Sequence, residues 1–96
     1  MFSWDAAKAR RNRQKHGVPF EEVATIFGDA EGLDWEDLEH VDKEQRWKRL
    51  GMSSEGRILM AVYTLRRFEN GTETIRIISA RQASRKERHA YARSGD

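Results

Sequence analysis

Three stretches of this 96-residue chain carry side chains able to handle a phosphodiester. In the first, Lys8, Asn12, Lys15 and His16 recur at helical spacing, which places them on one face of a helix. A histidine there can act as acid or base, and a lysine can hold a phosphate oxygen. The same residues have a second reading. His16 directly precedes a glycine, and helix-end carbonyls need donors, so Asn12 and His16 can equally tie the helix end to a sheet.

The second stretch is Arg46-Trp47-Lys48-Arg49. Alternation along a strand sends Arg46 and Lys48 to one face and Trp47 and Arg49 to the other. A tryptophan beside an arginine can stack on a splayed base, as in single-strand binders. It can also simply be core. The third stretch runs from Arg76 to Arg88 and on to Tyr91. Arg76 lies in a strand, Arg81 ends it, and Arg85 and Arg88 follow at helical spacing. Ala83, Glu87, Ala90 and Tyr91 form the opposing face. A glutamate on that inward face is costly unless paired, so Glu87 reads as the partner that holds an arginine in place.

Together these residues point to phosphodiester cleavage without a metal. Arg81 and Arg46 would stabilise the phosphorane, with Lys15, His16 or Tyr91 moving protons. Arg49, Arg76, Arg85 and Arg88 would bind further phosphates, Trp47 would stack a base, and Asn12 and Glu87 would support the site. No metal site is expected, because His16, His40 and His89 share no ligand spacing. The chain has no cysteine, and its acidic stretch lacks the alternating ligands of a calcium loop. No cofactor is expected either, since there is no glycine-rich phosphate loop, nor any nucleophile elbow.

The elements that must position these groups are legible from local signals. Phe2-Ser3-Trp4 reads as a short strand. Asp5 is an N-cap for a helix over Ala6–His16, which Gly17 stops. Pro19 opens a second helix whose stripe Phe20, Val23, Ala24, Phe27 is buried and which Gly28 ends. Ala30–Trp35 is readable as an edge strand, with a mobile loop after it. Gln45–Met52 is a strand, and Ser53–Gly56 a turn. Ile58–Leu65, apolar on both faces, is a central strand. Glu69-Asn70-Gly71-Thr72 signals a hairpin into a strand over Thr74–Arg81, with Ile75 and Ile77 on one side and Ile78 and Ala80 on the other. A last helix spans Ala83–Arg93. The expected fold is a single α+β domain over residues 1–96: two N-terminal helices, a mostly antiparallel sheet of four or slightly more strands, and a C-terminal helix.

Charge is sorted along the chain. Residues 29–44 hold eight acidic and one basic side chain, whereas residues 45–96 hold twelve basic and five acidic. An arginine-rich half suits a polyanion, because guanidinium forks onto phosphate oxygens. Hydrophobic residues make up 38%, enough for one core and too many for a disordered chain. The longest apolar run, Ile58–Tyr63, is far too short to span a bilayer. The N-terminus has no signal-peptide pattern, so a cytoplasmic protein without membrane contact is expected.

Phe2-Ser3-Trp4-Asp5 with Lys8, Asn12, Lys15-His16-Gly17-Val18, Phe20 and Ile26-Phe27-Gly28-Asp29 resembles the opening of BrnT toxins. Glu44-Gln45-Arg46-Trp47 with Leu50-Gly51-Met52-Ser53 continues the likeness. Ile75-Arg76-Ile77-Ile78-Ser79-Ala80-Arg81 with Ala83, Glu87-Arg88 and Tyr91 is its most specific part. The resemblance covers residues 2–91. It implies a RelE-like fold and the toxin role in a type II toxin–antitoxin system, acting as a metal-independent endoribonuclease. The implied partner is a BrnA-type ribbon-helix-helix antitoxin. Two toxins would sit on an antitoxin dimer that represses its own operon, so operator DNA is met only through the antitoxin. The alternative is a non-catalytic module that uses the same arginine face to bind nucleic acid or dock its antitoxin.

Overall fold

The computed structural model describes residues 1–39 and 44–94. Strand β1 (Phe2–Ser3) leads into helix α1 (Ala6–His16). The Asp5 carboxylate accepts the Lys8 N–H at 2.9 Å to start this helix. Gly17 ends it at φ 69°, a left-handed conformation that glycine adopts without steric cost. Helix α2 (Phe20–Thr25) follows Pro19 and finishes in a 3₁₀ turn over Ile26–Gly28.

Four longer strands follow: β2 (Leu33–Asp37), β3 (Arg46–Met52), β4 (Ile58–Arg67) and β5 (Glu73–Gln82). The β4–β5 hairpin turns at Asn70-Gly71, where Gly71 has φ 84°. The sheet order is β1-β5-β4-β3-β2. All neighbours are antiparallel except β1, which pairs parallel with β5. The sheet is thus five-stranded and mixed, slightly larger than four strands as the expectation allowed, with the two-residue β1 as its parallel member. The edge strand lies three residues later than Ala30 at its start and reaches Asp37. The loop expected after it, with His40 and Val41, lies partly outside the described residues.

One irregularity changes which side chains share a face. Val62 pairs with Ser79, but Tyr63 pairs with Ile77, so Ile78 is an extra residue in β5. The bulge brings Ile77 and Ala80, expected on opposite sides, into the same buried cluster. That cluster joins them to Leu59 and Ala61 of β4 and to Val18, Phe20, Val23 and Ile26, beneath α1 and α2. Trp4 meets Phe20 edge-on at 6.0 Å.

A part-buried ion pair locks α2 onto the sheet. Arg57 donates to both Glu22 oxygens at 2.9 and 2.6 Å, and the Ser53 hydroxyl donates to the same carboxylate at 2.7 Å. The Arg57 guanidinium holds the Glu22 carboxyl below its ordinary range.

The other face of the sheet is covered only at one end. There Leu50, Met60, Ala83 and Tyr91 cluster beneath helix α3 (Arg85–Ser94). The helix begins at Arg85 rather than Ala83, because the Ala83 N–H still donates to Ile58 O at 2.9 Å and continues the sheet. Ser84 and Glu87 then close a reciprocal cap. The Ser84 N–H donates to Glu87 Oε1 at 2.8 Å, and the Glu87 N–H donates to Ser84 Oγ at 3.2 Å.

Candidate active site

Since α3 covers only one end, the remainder of that face stays open, and strand pairing fixes what it presents. Directly paired residues of antiparallel strands point the same way. Lys48 pairs with Val62 and Val62 with Ser79, while Met60 pairs with Arg81. A groove of about 280 Å³ lies over these residues, lined by His16, Lys48, Met60, Val62, Ser79, Ala80 and Arg81. The bulge at Ile78 decides the phase that turns Ser79 and Arg81 into this groove while Ala80 packs its side chain below.

His16 reaches the groove from the end of α1 because Asn12 fixes the helix against β5. The buried Ala80 N–H donates to Asn12 Oδ1 at 3.0 Å, and Asn12 Nδ2 donates to Val18 O at 3.1 Å. Of Asn12 and His16, it is Asn12 that ties the helix to the sheet, and Arg57 Nη2 adds a bond to Gly17 O at 3.2 Å. Among the described residues the His16 imidazole has no hydrogen-bond partner, and it is half-buried and lines the groove. Lys8, Lys15 and His16 also line a shallower depression with Ile78 and Ser79 on the outer side of α1.

Arg81 is held in a defined pose. Its Nη1 and Nη2 donate to Glu87 Oε1 and Oε2 at 2.7 and 3.0 Å, and Nη1 also donates to Gln82 O at 3.2 Å. The Arg81 guanidinium, helped by the Ser84 N–H, drives the Glu87 carboxyl down to about 2. Glu87 is therefore an anion throughout the physiological range and holds no proton to exchange. Arg81 nevertheless keeps 43% of its side chain exposed, enough for a ligand to meet it. Farther along the same face lie Arg46 on β3, directly opposite Asp37 of β2, and Arg76 on β5. Arg76 Nη1 donates to Ser3 Oγ at 3.4 Å.

Compared with known families, residues 4–87 match the family model described as ribonuclease toxin, BrnT, of type II toxin–antitoxin systems. The chain belongs to the BrnT family. Its fold is also similar to the 1.1 Å crystal structure of the Brucella abortus ribonuclease toxin BrnT, with a TM-score of 0.61 at 23% identity. That likeness covers 88% of this chain and 99% of the Brucella chain. No curated protein sequence matches. Membership of the BrnT family makes the chain a ribonuclease toxin, with RNA as substrate and an antitoxin as partner. Among the described residues, no helix is long and apolar enough to cross a membrane.

Several residues read from the sequence as parts of a BrnT site lie elsewhere. Tyr91 does not line the groove. Its hydroxyl donates to Asp29 Oδ2 at 2.6 Å, which pushes the phenol up to about 12 and withholds its proton. The same Asp29 oxygen accepts the Met52 N–H at 2.8 Å, so Tyr91 anchors α3 to the loop after the 3₁₀ turn.

Arg49 is not a free phosphate ligand. It points to the helix-covered face, donates to Ile26 O at 2.9 Å and Asp29 O at 2.6 Å, and pairs with Asp34. It also lies 5.4 Å from the Phe27 ring centroid, with only 11% of its side chain exposed. The guanidinium packs so closely on Gly32 that a side chain there would displace it. Trp47 shares that face, paired with Tyr63, and so cannot stack a base in the groove. Arg85 and Arg88 are exposed on α3, with Arg88 Nη1 donating to Ala83 O at 2.9 Å.

Two groove residues escaped the sequence reading. Lys48 was visible as the face-mate of Arg46 but not distinguished from its neighbours. Ser79 carries no signal of its own, since only the bulge aims it.

Proposed function

We propose that this chain is a cytoplasmic, metal-independent endoribonuclease that cleaves RNA through the ribose 2′-hydroxyl in the groove on its open sheet face. One observation carries the reading: His16 and Arg81, far apart in the chain, line a single groove with Lys48 and Ser79. An imidazole can take the 2′-hydroxyl proton near neutral pH. The 2′-oxygen attacks phosphorus, the bond to the 5′-oxygen breaks, and the leaving oxygen takes a proton from the conjugate acid of the base or from Lys15, which lines the neighbouring depression beside His16. Arg81, held by Glu87, meets the charge that develops on the phosphoryl oxygens, and Lys48 adds a second cation. The products are a 2′,3′-cyclic phosphate and a 5′-hydroxyl.

The antitoxin in this reading is a BrnA-type ribbon-helix-helix protein. Two toxins ride on its dimer and meet operator DNA only through it. The deciding experiment incubates pure protein with RNA and with DNA in EDTA. RNA cleavage with 2′,3′-cyclic or 3′-phosphate ends and intact DNA is the expected result. Loss of activity in EDTA, or 5′-phosphate ends, refutes the mechanism. Light scattering on the co-expressed pair reads the two-plus-two assembly.

A further inference from the structure

The rung of the sheet that crosses the groove continues past it to a side chain with no part in the reaction described so far. Ser79 pairs with Val62, Val62 with Lys48, and Lys48 with Trp35 on β2. All four point to the open face, with His16 at one end of the row and Trp35 at the other. At about 4.8 Å between strands, Trp35 stands roughly 14 Å from Ser79.

Trp35 is 41% exposed, unusual for a tryptophan in a small domain, and Lys48 is its immediate neighbour across the strand pair. Its strand is pinned from behind. On the other face Asp34 pairs with Arg49 and accepts the Tyr63 hydroxyl at 2.6 Å, so the backbone carrying Trp35 is held rigidly to β3 and β4. The acidic residues Asp34 and Glu36 alternate onto that other face, away from the groove. Asp37, the third acidic residue of the strand, shares the open face but is buried opposite Arg46 and accepts the Glu39 N–H at 3.1 Å, so the exposed side chain beside Lys48 is the indole, in line with a cationic groove.

We propose that Trp35 is a base-stacking platform for single-stranded RNA, taking a base that flanks the scissile phosphate while Lys48 holds a phosphate in between. The inference rests on the groove being the cleavage site. An exposed indole next to an ammonium group suits a nucleotide, whose base offers a π-face and whose phosphate offers a negative charge. The strand would run across the sheet from His16 and Arg81 over Lys48 to Trp35. Trp35 touches no reacting atom, so its effect falls on binding and on where cleavage occurs.

The test uses a short 2′-O-methyl oligoribonucleotide, which binds but offers no free 2′-hydroxyl, and reads affinity by fluorescence anisotropy. Trp35→Ala is expected to weaken binding roughly 5- to 100-fold, the range that stacking on one aromatic carries. Trp35→Phe should keep most of the affinity, and Trp47→Phe all of it. In a series of oligomers with a single abasic position, one position should reproduce the loss in the wild type and cost nothing further in Trp35→Ala. Wild-type affinity in Trp35→Ala, or abasic losses that add fully to that substitution, overturns the stacking while leaving the cleavage site standing. A variant that binds RNA normally but releases its antitoxin makes this face a protein interface and likewise overturns the proposal. A wild type that binds no oligomer overturns both readings.

Discussion

Asn12 accepts the backbone N–H of Ala80 across the width of the fold, and through it the end of α1 is set against the bulged strand. The same amide satisfies the Val18 carbonyl, so one buried side chain closes two backbone groups that water cannot reach. Asn12→Ala leaves both unpaired and should cost about 2–4 kcal/mol, lowering Tm by on the order of 10 °C or more. Asn12→Asp keeps the acceptor and loses the donor, so it should fall between. Thermal unfolding by circular dichroism decides, and an unchanged Tm in Asn12→Ala would remove the anchor.

Arg81 and Glu87 should separate by phenotype. Arg81→Ala is expected to abolish growth inhibition while lowering Tm less than Glu87→Ala does, because the arginine is partly exposed and Glu87 keeps its bonds to Ser84. Arg81→Lys should rescue poorly, since one ammonium cannot replace a fork of donors. Glu87→Ala loses the helix cap and the arginine's support together, and should lower stability by about 1–2 kcal/mol as well as activity. A toxic Arg81→Ala variant would take that arginine out of the reaction.

The depressed Glu87 carboxyl makes a directional pH prediction. Its value drops from 4.5 to about 2 on folding, so its contribution to stability is complete above about pH 5 and is lost as pH falls towards 2. Glu87→Gln should flatten that part of the Tm-versus-pH curve. Parallel curves for wild type and variant would show that the pair carries none of the acid sensitivity.

His16 and Tyr91 are distinguished by the same assay. His16→Ala should reduce kcat by roughly 10²- to 10⁴-fold, the usual contribution of a general acid or base, with 2′-O-methyl RNA bound as before. Tyr91→Phe should leave cleavage near the wild-type rate and lower stability by about 1 kcal/mol, through loss of its bond to Asp29. The reverse pattern would return the phenol to the reaction.

Glu22→Gln tests the part-buried lock between α2 and the β3–β4 turn. Removing the charge leaves Arg57 with a neutral amide and Gly17 O, at an expected cost of about 1–2 kcal/mol. Chemical denaturation should show it as a lower midpoint with an unchanged slope.

What the chain determines by itself is local. Asp5 and Gly17 bound α1 because a carboxylate cap and a left-handed glycine act within one turn of the helix. The stripe Phe20, Val23, Ala24, Phe27 marks a buried face through its spacing alone, and Asn70-Gly71 turns the hairpin. Ser84 with Glu87 is a capping signature legible at a distance of three residues, and it would have placed the start of α3 correctly. Alternation along β3 also separates Arg46 and Lys48 from Trp47 and Arg49. It does not reveal which of the two faces is covered.

Tertiary structure decided that, because coverage depends on where α1, α2 and α3 dock, which is a property of the whole core. With α1 and α2 on one face, Arg49 and Trp47 are committed to structure. With α3 at one end of the other face, Lys48, Arg81 and Trp35 are left facing outward. The bulge at Ile78 has no composition marker. It arises from strand pairing, and one extra residue is enough to turn Ser79 and Arg81 towards His16 while Ile77 and Ala80 share the core. Tyr91 was readable as a helix-face tyrosine, but only the long-range approach of Asp29 gives its hydroxyl a partner and removes it from the groove.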